Sequence, residues 1–206
     1  IANGGLPKSY GGSANMNWRT NKINIFTTTS LGNNTTLGNS RNFNEYFNGD
    51  NPSTFLNEKR QSERIRKRFF TNLGIEYFFN DKTSLVISSF FRNSDNSSRN
   101  ANEIRELDSR ENIINFSERI EQEEEDDVSI QYSANFFKDF KTEGHKLTAT
   151  LQYETSKEDE RADINGQTSI PELSNLSFEK TTSFEDQSRL LAQTDYILPI
   201  DENTQL

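Results

Sequence analysis

The chain has 206 residues, a formal net charge of −9, no cysteine, and 31% hydrophobic and 11% aromatic residues. An apolar fraction so far below the roughly 45–50% of an ordinary soluble domain leaves only a thin conventional core, and the lack of cysteine excludes a disulfide framework and thiolate metal sites. The acidic balance argues against nucleic acid or anionic lipid headgroups as the main partner. Disorder competes as an explanation, but sixteen Phe and six Tyr placed at a period of two do not describe a solvated, aromatic-poor chain.

No run of about eighteen apolar residues occurs, so no transmembrane helix is expected; strands that satisfy one another's backbone groups could still cross a bilayer. Ile1 to Tyr10 has neither a basic start nor an apolar stretch, so no signal peptide is read and the chain is expected to be an interior piece of a longer protein. Ile1 to Gly12, rich in glycine, reads as a lead-in belonging to a preceding strand. From Ser13 to Arg19, Ala14, Met16 and Trp18 alternate with polar residues. A two-residue turn at Thr20 and Asn21 then sets Trp18 opposite Ile23, Met16 opposite Ile25 and Ala14 opposite Thr27.

Leu31 to Asn57, dominated by Asn, Gly, Ser and Thr, reads as a long polar connection. Glu58 to Arg68 enters the following strand without a breaker and reads as its solvated upper part. That strand carries Phe69, Thr71, Leu73, Ile75, Tyr77 and Phe79 on one face, with Phe70, Asn72, Gly74, Glu76, Phe78 and Asn80 on the other. A loop at Asp81 to Thr83 leads to a second run with Leu85, Ile87, Ser89 and Phe91 on one face, pairing Phe79 with Leu85, Tyr77 with Ile87 and Leu73 with Phe91. About ten residues at roughly 3.3 Å, tilted by about 40°, span roughly 25 Å, the height of the apolar band on a transmembrane barrel.

Asn93 to Asp127 is polar with a turn at its middle; a loop of Ser109 and Arg110 sets Phe91 opposite Val128 across a very long ribbon. Val128, Ile130, Tyr132, Ala134 and Phe136 alternate cleanly with Ser129, Gln131, Ser133 and Asn135. A turn at Glu143 and Gly144 pairs Phe136 with Leu151 and Ala134 with Tyr153, and Leu147, Ala149, Leu151 and Tyr153 form the next apolar face. Thr155 to Gln187 reads as another long polar crossing. A last strand carries Leu190, Ala192, Thr194, Tyr196 and Leu198, Pro199 to Asn203 turns, and Leu206 opens an eighth strand. The expected fold is therefore all-β: an antiparallel up-and-down meander of about seven strands over residues 1–206, part of a larger transmembrane barrel, with short turns at one end and long polar connections at the other.

The segments GLPKSYGGSANMNWR, LGIEYFFNDKTSLVIS, FKTEGHKLTATLQYE and LLAQTDYILP resemble the barrel domain of TonB-dependent outer-membrane receptors, within the outer membrane protein β-barrel family. The resemblance implies a bacterial outer-membrane location, a barrel of about twenty-two strands, an amino-terminal plug that this sequence lacks, lipid and the TonB complex as partners, and uptake of a nutrient held by plug and extracellular loops.

No catalytic, cofactor-binding or metal-ligating residue is assigned. Glu121 to Asp127 is the densest acidic run and could offer oxygens to Ca²⁺, but without the Asp/Asn and Gly spacing of a Ca²⁺ loop it reads as a solvated ribbon. His145, the one histidine, has no nucleophile motif near it and reads as a turn residue. Glu76, Glu154 and Asp195 face the lumen and could pair for acid–base work, though lumenal polarity accounts for them. Trp18, Phe69, Tyr77, Phe79, Phe140, Tyr153 and Tyr196 sit at strand ends as an interfacial girdle, or form a sugar-binding stripe. Two other classes stand against the transporter: a secreted β-sandwich adhesin binding glycans, with turns of similar length at both ends, and a barrel enzyme, which would need a nucleophile beside a histidine.

Overall fold

The computed structural model describes residues 2–4, 7–48, 51–170, 172, 174–201 and 204–205. One antiparallel sheet runs in sequence order through β1 (Ala2–Gly4), β2 (Ser9–Arg19), β3 (Ile23–Asn48), β4 (Asn51–Asn80), β5 (Thr83–Leu107), β6 (Ile113–Asp139), β7 (Lys146–Ile170) and β8 (Ser174–Ile197). The expected meander is thus the fold, with β2 to β8 as its seven principal strands. β9 (Pro199–Asp201) pairs with β10 (Thr204–Gln205) in a separate ladder, so strand occupies part of the stretch expected to turn; Leu206 lies outside the described residues.

The sheet is a single layer. A compact protein of this mass exposes roughly 9,800 Å², whereas this chain exposes 14856 Å². Ala162 is the one buried apolar side chain among the described residues. Cohesion therefore lies in the backbone ladder and in cross-strand side-chain pairs.

Two of the expected long connections do not exist as connections. Leu31 to Asn57 is divided between β3 and β4, and Thr155 to Gln187 between β7 and β8. The asymmetry expected between short turns and long loops is absent: links are brief at both ends, and the contrast lies instead in side-chain composition along strands of 24 to 30 residues in β3 to β8. These polar segments pair because they too alternate, placing opposite charges across from one another, as in Lys67 with Asp95 at 2.9 Å and Lys59 with Glu103 at 3.2 Å.

Each expected register is displaced by two residues. Trp18 lies opposite Ile25, Tyr77 opposite Leu85, Phe91 opposite Ile130, and Ala134 opposite Leu151. Side chains at the turns are the cause. Thr20 Oγ1 accepts hydrogen bonds from the Lys22 and Ile23 amides and widens the first loop, while Asn80 Oδ1 accepts from the Lys82 amide and tightens the second, leaving Phe79 in a bulge. Asp108 Oδ1 accepts from the Arg110 and Asn112 amides at 2.8 and 2.9 Å around a left-handed Glu111. Between β6 and β7 the Phe140 ring stacks on His145 at 3.9 Å, and Gly144 takes a φ of 78°. Because the displacement is even, every side chain keeps its expected face.

The apolar residues form an oblique band on that face. Phe69 shares its hydrogen-bond row with Asn93, Val128, Lys157 and Asp186. On β7 the apolar run stops at Tyr153 and on β8 at Leu190, each four residues from that row and nearer the end where His145 lies. On β6 the run still reaches Val128, level with Phe69, and the edge steps down beyond it. Four residues are roughly 13 Å, and over the three or four strand spacings from β4, roughly 14–19 Å, the net slope is roughly 35–45°, comparable with the tilt of strands in a transmembrane barrel. Phe69 and Tyr153 thus lie along one edge, and Trp18, Tyr77, Phe79, Phe140 and Tyr196 near the other. These rings therefore lie near the two edges of the band, the positions that the girdle reading expects. Within the band Thr29 and Thr71 satisfy each other's hydroxyls at 2.8 Å.

Nitroxides at Phe69→Cys, Tyr153→Cys and Lys157→Cys in a lipid bilayer test this geometry. The first two should report the same depth, with Lys157→Cys in water. Equal depth for Phe69→Cys and Lys157→Cys would mean that the bilayer follows the hydrogen-bond rows and that the strands are not tilted.

Candidate functional site

The opposite face is the one that closure into a barrel makes concave. Gly74, Ser94, Ser98, Ser129 and Ala162, the buried residues of the sheet among those described, all lie on it, covered by their longer neighbours. At Gly74 the covering group is the Phe26 ring, which occupies the space that a Cβ would need.

At the height of the apolar band this inner wall mixes hydroxyls, amides and rings. Ser88 and Ser133 share a hydrogen bond at 2.8 Å, and Thr150 Oγ1 donates to Asn135 Oδ1 at 3.0 Å. Phe70 lies 6.0 Å from Phe90, and the Arg19 guanidinium stands 4.7 Å from the Phe78 ring. Glu76, Glu154 and Asp195 occupy this face as expected but on different rows of β4, β7 and β8. They form no carboxylate pair: Asp195 accepts from Gln193 Nε2 at 3.0 Å and Thr148 Oγ1 at 3.5 Å.

Beyond the band, toward the Asp108 turn, the inner wall becomes strongly charged. Arg64, Arg66 and Arg68 project from β4 at a period of two. β5 contributes the small polar residues Ser94, Asn96 and Ser98 on the adjoining positions, and β6 contributes Glu123, Glu125 and Asp127. The next strand adds Glu158 and Glu160. Sign is therefore segregated across the wall, cationic on β4 and anionic on β6 and β7. Arg92 bridges to Asp127 at 2.8 Å and Asn96 donates to Glu125 at 3.2 Å. Among the described residues, Arg64, Arg66 and Arg68 have no carboxylate within 4 Å. They line a recess of 180 Å³ with Asn96, Ser98, Glu123 and Glu125.

Crowding of like charge is visible in the carboxyls. Burial pushes Glu123 above the usual range, Glu160 adds repulsion, Arg64 opposes it, and Glu121 and Glu125 add more. Glu158 is also raised, by burial first and then by Glu125, Glu185, Asp127 and Glu160.

The acidic run is thus divided by the pleat. Glu121, Glu123, Glu125 and Asp127 face the concave side half-buried, whereas Gln122, Glu124 and Asp126 are exposed on the other. No three acidic or histidine side chains converge as a metal ligand set among the described residues. His145 lies in the β6–β7 turn as expected, its Nε2 2.8 Å from Tyr196 Oη. The arginine ladder escaped the sequence reading. Its signal was present: once Glu58 to Arg68 is read as strand, Arg64, Arg66 and Arg68 must share a face.

Residues 138–206, from the end of β6 through β7 and β8, match the model of the outer membrane protein beta-barrel family. No curated protein sequence matches the chain. The matched region, the open antiparallel meander and the tilted apolar band agree: this is an outer-membrane β-barrel protein, located in the bacterial outer membrane.

A carboxyl whose folded pKa lies above its unfolded value costs stability when ionised; the cost is full above the folded pKa and vanishes as pH falls below the usual 4.5. The variant Glu123→Gln/Glu158→Gln in the full-length protein should therefore melt higher than the parent near pH 7 and match it below about pH 4. A lower melting temperature near neutral pH would show that these carboxylates are held by favourable partners instead.

Proposed function

We propose that this protein is the barrel of a TonB-dependent receptor, taking up a nutrient through extracellular strands and a lumen filled by a plug domain. The observation that carries the reading is the inner wall at membrane height. Phe26, Phe70, Phe78 and Phe90 lie there half-buried, with Phe137 exposed among them. An open aqueous pore calls for a polar interior. Rings at this depth suit contact with a folded domain in the lumen, and the polar residues between them suit a hydrated, movable interface.

The long charged ribbon beyond the band supplies the second requirement, a surface reaching into the external medium where a solute can be captured before it meets the plug. Transport rather than chemistry is the role assigned: the lumenal carboxylates stand apart, and His145 is committed to the turn opposite the ribbon. Energy coupling would reach the barrel through the plug, with lipid against the oblique band and the nutrient against the concave wall.

The test uses full-length protein in planar bilayers together with the purified periplasmic domain of TonB. A plugged, TonB-coupled receptor should show no steady conductance and should bind that domain with a micromolar Kd. Stable open-channel currents combined with absence of TonB binding would replace this reading with that of a diffusion pore.

A further inference from the structure

The two faces of the extracellular ribbon differ in how far their charges are paired. On the outer face cations and anions meet pairwise, as in Lys59 with Glu103, Lys67 with Asp95, Lys157 with Asp186 at 3.2 Å and Arg161 with Asp159 at 3.2 Å. On the concave face Arg60 with Glu58, Arg92 with Asp127 and Arg119 with Glu121 also pair, but Arg64, Arg66 and Arg68 of β4 are held apart from Glu123 and Glu125 of β6 and Glu158 and Glu160 of β7 by Ser94, Asn96 and Ser98. A stabilising network would interleave the signs, since adjacent opposite charges support the sheet and like charges side by side strain it. Segregation leaves Arg64, Arg66, Arg68, Glu123 and Glu125 without an ion-pair partner among the described residues, and so able to meet a third party.

A second observation points to the same place. Ser98 retains 9% exposure, and its hydroxyl is buried without a hydrogen-bond partner in the structure. It lines the recess shared by Arg64, Arg66, Arg68, Glu123 and Glu125, and also an adjoining recess of 340 Å³ beside Thr36, Ser62 and Asn100. A buried hydroxyl without a protein partner, between a guanidinium row and a carboxylate row, can hydrogen-bond a solute seated in the recess.

We propose that this wall binds a zwitterionic solute, with a carboxylate seated on Arg64, Arg66 and Arg68 and an ammonium on Glu123 and Glu125. Spacing limits the ligand. β4 and β6 are two strand intervals apart, roughly 10 Å, and three extended residues span about the same distance, so a short peptide with free termini fits. A purely anionic solute meets repulsion from Glu123 and Glu125 within the same recess, and a purely cationic one meets it from the arginines. Guanidinium forks favour a carboxylate over a neutral group by charge-assisted, bidentate hydrogen bonds. As the choice of cargo the inference rests on the uptake reading; as a binding site it does not.

Calorimetric titration of the full-length protein in detergent at low salt tests it with three probes: trialanine, N-acetyl-trialanine and trialanine amide. Trialanine should bind about tenfold or more tightly than either blocked form. In Arg64→Gln/Arg66→Gln/Arg68→Gln its advantage over the amide should disappear, and in Glu123→Gln/Glu125→Gln its advantage over the acetylated form should disappear. Equal binding of the three probes, no binding at millimolar concentration, or tightest binding of the acetylated form would each overturn the proposal, the last in favour of a plain anion site. The probe comparison on the unaltered protein needs no variant to fold. Since titration involves neither TonB nor a gradient, peptide binding by a protein that fails to engage TonB would sink the uptake reading alone, and TonB engagement without peptide binding would sink this inference alone.

Discussion

The backbone ladder is the constraint on which everything else here depends. With one buried apolar side chain among the described residues, no packed core can choose a conformation, and each strand is defined by the neighbour that satisfies its amides and carbonyls. Alternation by two then does what a core does elsewhere, assigning each residue to one of two environments. The convex face carries the lipid-facing band, with Trp18, Ile75, Ile87, Tyr132 and Leu151 about half exposed, and the concave face carries Gly74, the serines and the charges. Because the sheet has no second layer, exposure of large apolar groups on one face is a statement about solvent, not a packing defect.

The band's obliquity adds information that neither face holds alone. Hydrogen-bond rows run across the strands, whereas a bilayer cuts them at a level height, so the two coincide only in an untilted sheet. Lys157 sits on the same row as Phe69, yet it pairs with Asp186, and the apolar run of its own strand ends at Tyr153. A charged residue level with Phe69 would be costly in lipid; tilt lifts it into water. Strand inclination is therefore written into the places where each strand's hydropathy changes.

Strands with apolar alternation, such as Val128 to Phe136, were legible from sequence because hydropathy changes sign at every residue. Their polar continuations were not. In Lys157 to Asp163 the alternation is between charges that pair across strands and residues that face the concave wall, and hydropathy is nearly constant through it. A long polar stretch and a long polar strand differ only in their partner, which a single segment does not display. The register errors have a different origin. Thr20, Asn80 and Asp108 set loop length through their own side-chain hydrogen bonds, and an apolar face match cannot tell a shift of two from none. The face of every residue was thus predictable where its partner was not. For the same reason the arginine ladder could be inferred as a stripe, but its relation to the carboxylates needed the strand order.

Strand order also explains why the charged wall lies where it does. Within the band the concave face is lined in part by rings, Phe70 and Phe90 among them, and its carboxylates Glu76, Glu154 and Asp195 are spread singly over different rows. Beyond the band water screens charged groups, so three uncompensated arginines and a row of carboxylates can be held on rigid backbone at modest cost. Rigid strands fix the separation of the two signs better than mobile loops could, since neighbouring positions repeat at intervals set by the ladder itself. The long strands that replace the expected loops therefore provide a surface on which the distance between charges, and not only their number, is determined by the fold.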